Sequence, residues 1–214
     1  QANDWSTAAQ HWQAATTHHP SRQIFQNLAL AREALQQWRP AAEAWREVLR
    51  RRPRKQHHPE AVTDAQMATL WGHVAECYER VNDAREMLSC LKNAVKYAPG
   101  DLELGVKVAD LSSQTGRDDA AIKELERLLA LNTQYVPALL RLGTLYHSRY
   151  GRDPMPIWRR VLAIEPHNEE ARQALAQLYV EKIQEEGPRY GWFARFRRRA
   201  EKEKMALLEE GLRE

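Results

Sequence analysis

Cysteine, glycine and long apolar runs are all scarce in this chain of 214 residues. Its two cysteines, Cys77 and Cys90, cannot build a disulfide scaffold or a zinc site unaided. No stretch approaches about 18 uncharged apolar residues, and the mean hydropathy is −0.71, which excludes a membrane-spanning helix. The first residues, Gln1 to Trp5, have neither the basic start nor the apolar core of a signal peptide. We therefore expect a cytoplasmic protein with buried, reduced thiols.

An excess of charge is also missing, which limits the classes of partner. Lys and Arg total 32 and Asp and Glu total 29, so the net charge is +3, too mild to imply nucleic-acid binding by itself. Only nine glycines occur, against 30 alanines and 24 leucines, whereas valine and isoleucine together number 15. This composition favours helices throughout, because alanine and leucine are strong helix formers and β-branched residues favour strands.

The sequence does contain an internal repeat of about 34 residues. A proline closes an apolar run at Pro20, Pro53, Pro99 and Pro166, and Thr133 stands where a fifth proline would fall. Three columns precede these marks. The first is usually small (Ala8, Ala41, Met87, Ala121, Pro154), the second large and apolar (Trp12, Trp45, Leu91, Leu125, Trp158), and the third apolar (Ala15, Val48, Ala94, Leu128, Val161). Their spacing traces one face of an α-helix.

A second helical face recurs upstream of each set of columns. Its small position is occupied by Ala29, Ala75, Ala109, Gly143 and Ala176. Two antiparallel helices approach to about 8–10 Å only where small side chains meet, so this column predicts the crossing point of a helix pair. The prolines then follow the second helix of each pair, where that helix has to stop.

The best single unit consists of Trp71, Val74, Ala75, Tyr78, Met87, Leu91, Ala94 and Pro99. In these columns the sequence resembles the tetratricopeptide repeat (TPR) family, over roughly residues 3–180. The resemblance implies an all-α fold, a right-handed superhelical solenoid of antiparallel helix pairs. A non-repeating helical bundle is the alternative, and the five marks in register argue against it.

The columns also predict how the chain is divided. We expect the second helix of a truncated repeat at 1–20, a TPR at 21–53, an inserted loop at 54–67, TPRs at 68–101, 102–135 and 136–168, the first helix of a fifth repeat at 169–186, and a C-terminal basic capping helix at 187–214. The insertion either lengthens a loop or starts the next helix early. An irregular, proline-rich turn is expected at 151–156. The truncated first repeat suggests that the chain begins within a longer array.

The resemblance implies where a partner binds, because the first helices of TPR arrays line the concave face. The side chains expected to face this groove are Asn27, His73, Glu76, Lys107, Asp110, Arg141 and His147. An extended acidic peptide could contact Lys107 and Arg141, which fall at equivalent places in successive repeats. A solvated face with arbitrary charges is the alternative.

One binding mode of the family is not expected. Some TPR proteins bind the C-terminal peptides of heat-shock chaperones through a carboxylate clamp, which needs lysines, asparagines and an arginine at fixed positions. In either possible frame of this sequence the first lysine and both asparagines are replaced, for example by Gln26, Leu30 and His73. A receptor for chaperone tails of that type is therefore disfavoured.

Two basic clusters lie outside the regular columns, at residues 50–55 and 189–204. Aromatic residues interleave with the second cluster, among them Phe193 and Phe196. A terminal cap that docks on the array through this apolar face explains them most simply. Binding of nucleic acid, a membrane surface or a protein partner are the alternatives.

No motif for catalysis is visible. The sequence contains no Gly-rich phosphate loop, nucleophile elbow, HExxH motif or paired carboxylates. The histidine pairs at residues 18–19 and 57–58 lack a carboxylate or thiol to complete a metal site. We expect no enzyme activity, no cofactor and no metal.

The sequence therefore predicts a non-catalytic TPR scaffold that binds a protein or peptide partner in its concave groove, as part of a larger protein or assembly. One alternative is an RNA-binding helical repeat protein, for which affinity would fall steeply with salt. The other is a regulatory array of an enzyme or co-chaperone whose other domains lie outside these residues.

Overall fold

The structure, a computed structural model, describes residues 4–51, 62–148, 152–186, 201–202 and 205. These residues form α-helices and connecting turns, with no strand among them. In chain order the helices are α1 (Trp5–His18), α2 (Arg22–Ala34), α3 (Trp38–Arg50), α4 (Asp64–Arg80), α5 (Ala84–Tyr97), α6 (Leu102–Gln114), α7 (Asp118–Leu131), α8 (Val136–Ser148), α9 (Met155–Ile164) and α10 (Glu169–Glu186). The prediction of an all-α fold is confirmed.

Polar side chains fix where several helices begin. Ser21, Asp83 and Asp101 each accept a hydrogen bond from the backbone N–H three residues later, at the starts of α2, α5 and α6. At α4 the Thr63 hydroxyl accepts from the backbone N–H of Gln66, and the Gln66 side chain accepts from the N–H of Thr63. Such caps satisfy backbone donors that have no partner within the helix.

The turn between first and second helix has the same backbone geometry in three successive repeats. Gln36, Asn82 and Gly116 adopt positive φ angles of 56°, 54° and 72°. The following residue donates its N–H to the carbonyl five residues back: Gln37 to Arg32 at 2.8 Å, Asp83 to Tyr78 at 2.9 Å and Arg117 to Ser112 at 2.8 Å. This is the Schellman ending of a helix. The repeat found in the side-chain columns is therefore also present in the backbone.

The predicted columns form the core. The buried members in the second helices are Ala41, Trp45, Val48, Leu91, Ala94, Ala121, Leu125, Leu128, Trp158 and Val161. In the small column Ala29, Ala75, Ala109 and Gly143 are buried, whereas Ala176 is half-buried. The other exceptions are mainly in α1, which contains no buried residue and where Trp12 is only half-buried.

Helices that follow one another in the chain pack together. Each of α1 to α5 packs on the next helix, α8 packs on α9, and α9 packs on α10. The chain divides into two compact units, one up to Glu124 and one from Leu125 onward, with the boundary inside α7. The grooves described below lie entirely in the first unit.

Three segments were expected to depart from the regular repeat: the inserted loop, the proline-rich turn and the C-terminal cap. Residues 64–67, expected inside the inserted loop, form the first turn of α4, so this helix starts early. At the proline-rich turn α9 begins at Met155 after Pro154, and the carboxylate of Asp153 accepts from the N–H of Met155 at 3.0 Å. The expected capping helix at 187–214, apart from residues 201, 202 and 205, lies outside the described residues.

Candidate partner-binding grooves

A surface cavity of about 430 Å³, which we name the α4–α6 groove, lies where α4, α5 and α6 meet. Its floor consists of buried or half-buried apolar residues: Ala75, Ala84, Met87, Leu91, Leu104 and Leu111. Its rim consists mostly of exposed polar residues: Glu76, Glu79, Asn82, Asp83, Lys107, Asp110 and Gln114. An apolar floor under a polar rim is the usual composition of a site that binds a peptide segment.

Three of the predicted site residues meet in this groove. Glu76 comes from α4, and Lys107 and Asp110 come from α6. The Glu76 side chain is 73% exposed, so its carboxylate is available to solvent or to a partner. These positions lie on the first helices of successive repeats, the helices on which the TPR resemblance places ligand contacts.

His73 has a different environment from the one expected. Its ring stacks on Trp45 of α3, with the ring centroids 5.2 Å apart and the ring planes 12° apart. Its Nδ1 lies 3.7 Å from Oε2 of Glu76. His73 therefore packs partly against the neighbouring repeat, and it is not among the residues that line the α4–α6 groove.

The remaining predicted site residues do not line the α4–α6 groove. Asn27 on α2 is half-buried, and its Oδ1 accepts a hydrogen bond from Gln23 Nε2 at 3.0 Å. Arg141 and His147 both lie on α8 in the second unit and are exposed. His147 Nε2 is 4.0 Å from Oε1 of Glu181.

The charges around the α4–α6 groove are predominantly negative. Among the described residues that line the groove, four carboxylates, those of Glu76, Glu79, Asp83 and Asp110, accompany one ammonium group, that of Lys107. Asp83 is compensated by Arg39, whose Nη2 lies 3.0 Å from Oδ2 of Asp83. The carboxylates of Glu76 and Glu79 alone still outnumber Lys107, so the groove presents a negative potential to a partner.

A second cavity, of about 410 Å³, lies between α2 and α4, and we name it the α2–α4 pocket. Its lining residues are Glu33, Trp38, Glu76, Cys77, Glu79 and Arg80. Because Glu76 and Glu79 line both cavities, the two are neighbouring parts of one surface on the first helices. The Arg80 guanidinium lies 5.4 Å from the centroid of the Trp38 ring, which places a cation on the aromatic wall.

Glu33 is held in place inside the α2–α4 pocket by two donors. Its Oε1 accepts a hydrogen bond from Nε1 of Trp45 at 2.6 Å and from Sγ of Cys77 at 3.4 Å. Burial, and next the negative charge of Glu33, raise the pKa of the Cys77 thiol to about 12. The thiol thus remains protonated and acts as a donor. Both cysteines are free and buried, as the sequence predicts.

Sequence reasoning missed three residues that line these two cavities: Glu33, Glu79 and Trp38. Glu79 lies one helical turn after Glu76 on α4. Glu33 lies one turn after Leu30, which the TPR resemblance also places on the groove-facing side of α2. Extending the predicted groove face by one turn would have found both carboxylates. No periodic signal marks Trp38, because it starts a second helix whose other apolar residues face the core.

A third cavity, of about 430 Å³, involves α1, α2 and α3 and contains Arg32, Arg46 and Arg50 among its lining residues. These cations already have partners. Arg46 pairs with Glu86 and lies 5.1 Å from the centroid of the Tyr78 ring, and Arg50 pairs with Glu47. The cavity therefore has little uncompensated positive charge for an anionic ligand.

Two kinds of feature are absent from the residues that the structure describes. None of the helices there is both long and apolar enough to span a bilayer. No group of three or more His, Cys, Asp or Glu side chains in the same residues could hold a metal ion.

No protein-family model matches the chain, and no curated protein matches it either. Solved structures do. A MamA protein superposes with a TM-score of 0.58 at 19% identity, over 88% of this chain and 90% of that chain. MamA from Desulfovibrio magneticus RS-1 gives 0.56 at 12% identity, over 88% and 93%. YrrB, described as a TPR protein with an unusual peptide-binding site, gives 0.54 at 14% identity, over 80% and 84%. At identities this low, the structural similarity shows a common fold and nothing more specific.

Proposed function

We propose that this chain, which has the fold of tetratricopeptide-repeat proteins, is a non-catalytic scaffold that binds a segment of a partner protein in the α4–α6 groove. The observation that carries the proposal is the groove itself, an apolar floor under a charged rim on the first helices. Met87 and Leu104 are only half-buried. Apolar side chains of a bound segment would cover them, and the loss of apolar surface from water would stabilise the complex. The rim residues would set specificity.

The fold supports a role in protein binding. YrrB, one of the proteins with this fold, is described as having a peptide-binding site. The assignment of Glu76, Lys107 and Asp110 to the binding surface, and the further involvement of Asn27, His73, Arg141 and His147, are part of the proposal. A cytoplasmic location of the protein is likewise an expectation from the sequence.

No observation favours the RNA-binding alternative. Of the first basic cluster, Arg50 and Arg51 are described, and both pair with Glu47. Arg51 also donates to the carbonyl of Pro20 at 3.0 Å and lies 4.2 Å from the centroid of the Phe25 ring. The second basic cluster lies almost entirely outside the described residues. The other alternative, a regulatory array, would use the same groove to bind its partner.

Blocking the groove tests the proposal. A Cβ atom added at Gly72, which lines the groove, would meet no atom within 4 Å, so Gly72→Phe would add a ring at the groove without a clash at its Cβ. Gly100→Phe is a matched control, because a Cβ there also meets nothing within 4 Å and Gly100 does not line the groove.

The measurement is affinity capture from an extract of the source cells, with the bound proteins identified by mass spectrometry. We expect Gly72→Phe to lose most of the proteins that the parent captures and Gly100→Phe to retain them. Unfolding curves of all three proteins check that the folds are intact. Equal capture by the two variants and the parent would refute binding in the α4–α6 groove.

A further inference from the structure

The partner of the α4–α6 groove can be specified further from the charges around it, on the premise that the proposed function is correct. Beside Lys107 the groove presents the carboxylates of Glu76 and Glu79. Within the described part of the chain, no hydrogen bond or ion pair engages the side chains of Glu79 and Lys107. Lys107 is therefore surrounded mainly by negative charge.

The negative surface continues beyond the groove. Glu76 and Glu79 also line the α2–α4 pocket, where Glu33 adds a carboxylate held by Trp45 and Cys77, and these three carboxylates outnumber the cation that lines the pocket, Arg80. Carboxylates of this surface thus come from two successive first helices, α2 and α4. The two helices touch where Glu33 Oε1 accepts from Cys77 Sγ at 3.4 Å, and helices in contact have axes roughly 10 Å apart. An extended segment rises about 3.3 Å per residue, so basic side chains two to four residues apart would reach both cavities.

Gly72 supports an open groove at this place. Glycine inside a helix is less favourable than alanine by about 1 kcal/mol. Nothing among the described residues requires it, because a Cβ would touch none of their atoms within 4 Å and no positive φ is found at this position. Its missing side chain leaves space one helical turn before Glu76, where a long side chain of a partner can approach the carboxylates.

We propose that the α4–α6 groove binds a cationic segment of a partner protein, in which lysine or arginine side chains pair with Glu76 and Glu79 and intervening apolar side chains contact Met87 and Leu104. Charge complementarity with the rim selects this occupant. An acidic peptide, which the positions of Lys107 and Arg141 suggested, would be repelled by the same carboxylates.

The test uses a defined probe, a fluorescein-labelled peptide of about 12 residues in which lysines alternate with leucines, and a matched peptide with glutamate in place of lysine. Binding is measured by fluorescence anisotropy at low salt, where surface electrostatics are strong. The variant is Glu76→Gln with Glu79→Gln. The control is Glu169→Gln with Glu170→Gln, which removes the same charge at exposed positions on α10.

We expect the groove variant to bind the lysine peptide at least tenfold more weakly, which corresponds to about 1.4 kcal/mol. The control should change its affinity less than twofold. Lys107→Gln should bind the lysine peptide more tightly, because it removes a like charge. This opposite sign distinguishes a direct electrostatic effect from damage to the fold.

Equal affinity of the groove variant and the control, or tighter binding of the glutamate peptide than of the lysine peptide, would overturn the cationic partner. If Gly72→Phe abolishes partner capture while these charge changes have no effect, the groove is the binding site and only its charge preference is wrong. If Gly72→Phe captures as the parent does, the proposed function itself fails.

Discussion

Gly143 and Trp158 are in such close contact that no larger residue fits at position 143. A Cβ atom placed on Gly143 would lie 2.7 Å from Cε2 of Trp158 and 2.8 Å from its Cζ2. The Trp158 ring is buried and rigid, so it cannot move aside as a flexible side chain would. Gly143 on α8 thus permits the close approach of α9, the role predicted for the small column.

Two mid-helix glycines should therefore respond in opposite directions to the same substitution. Gly143→Ala should lower the free energy of unfolding by about 1–3 kcal/mol through overpacking against Trp158. Gly72→Ala should raise it by up to about 1 kcal/mol, because its Cβ meets nothing within 4 Å and alanine favours a helix. Urea unfolding of both variants checks this, and a stabilised Gly143→Ala would contradict the contact.

The crossing of α6 is tested by another pair. Ala109 is 1% exposed, so Ala109→Leu should lower the free energy of unfolding by about 1–3 kcal/mol. Gln114, on the same helix, is exposed, and Gln114→Leu should change it by less than about 0.5 kcal/mol. Equal melting temperatures for the two variants would contradict the register of α6.

The bond between Glu33 and Trp45 links α2 to α3 and gives a third prediction. Glu33→Leu removes the acceptor of the Trp45 indole N–H, and a buried donor without a partner costs about 1–3 kcal/mol. Glu33→Gln keeps an acceptor oxygen, so it should lower the free energy of unfolding by less. Urea unfolding followed by tryptophan fluorescence measures the free energy of unfolding of both variants. If Glu33→Leu is as stable as the parent, the bond contributes no stability.

Alkaline pH should destabilise the protein through Cys77. Its pKa is raised from 9.0 to about 12 in the folded state, mainly by burial. The stabilisation is therefore fully present below about pH 9, and is lost as the pH rises toward 12, because the unfolded chain loses the thiol proton first. Each pH unit in this window reduces the free energy of unfolding by up to about 1.4 kcal/mol.

Cys77→Ala provides the comparison for this effect. The variant should be less stable than the parent at neutral pH, since it leaves a cavity, but its stability should fall less between pH 8 and about pH 10.5. Parallel pH profiles of parent and variant would show that Cys77 does not titrate differently in the two states.

The sequence determined the repeat, because burial at helical spacing is a local property. The positions of Ala29, Ala75 and Ala109 at helix crossings, and of Trp45 and Trp158 in the core, follow from residue type and spacing alone. The left-handed turns at Gln36 and Asn82 were not predicted, because neither residue is a glycine. The hydrogen bonds that end the helices offset the cost of a positive φ at these positions.

Only the tertiary structure decided the chemistry of the groove. Lys107 and Glu79 are 28 positions apart in the sequence, on different helices. They line one cavity because α4 and α6 both pack on α5. The stacking of His73 on Trp45 likewise depends on the contact between α3 and α4. Spacing within one helix specifies which face a side chain occupies, but the charges that surround it come from neighbouring helices. The electrostatic character of a binding surface is therefore a property of packing.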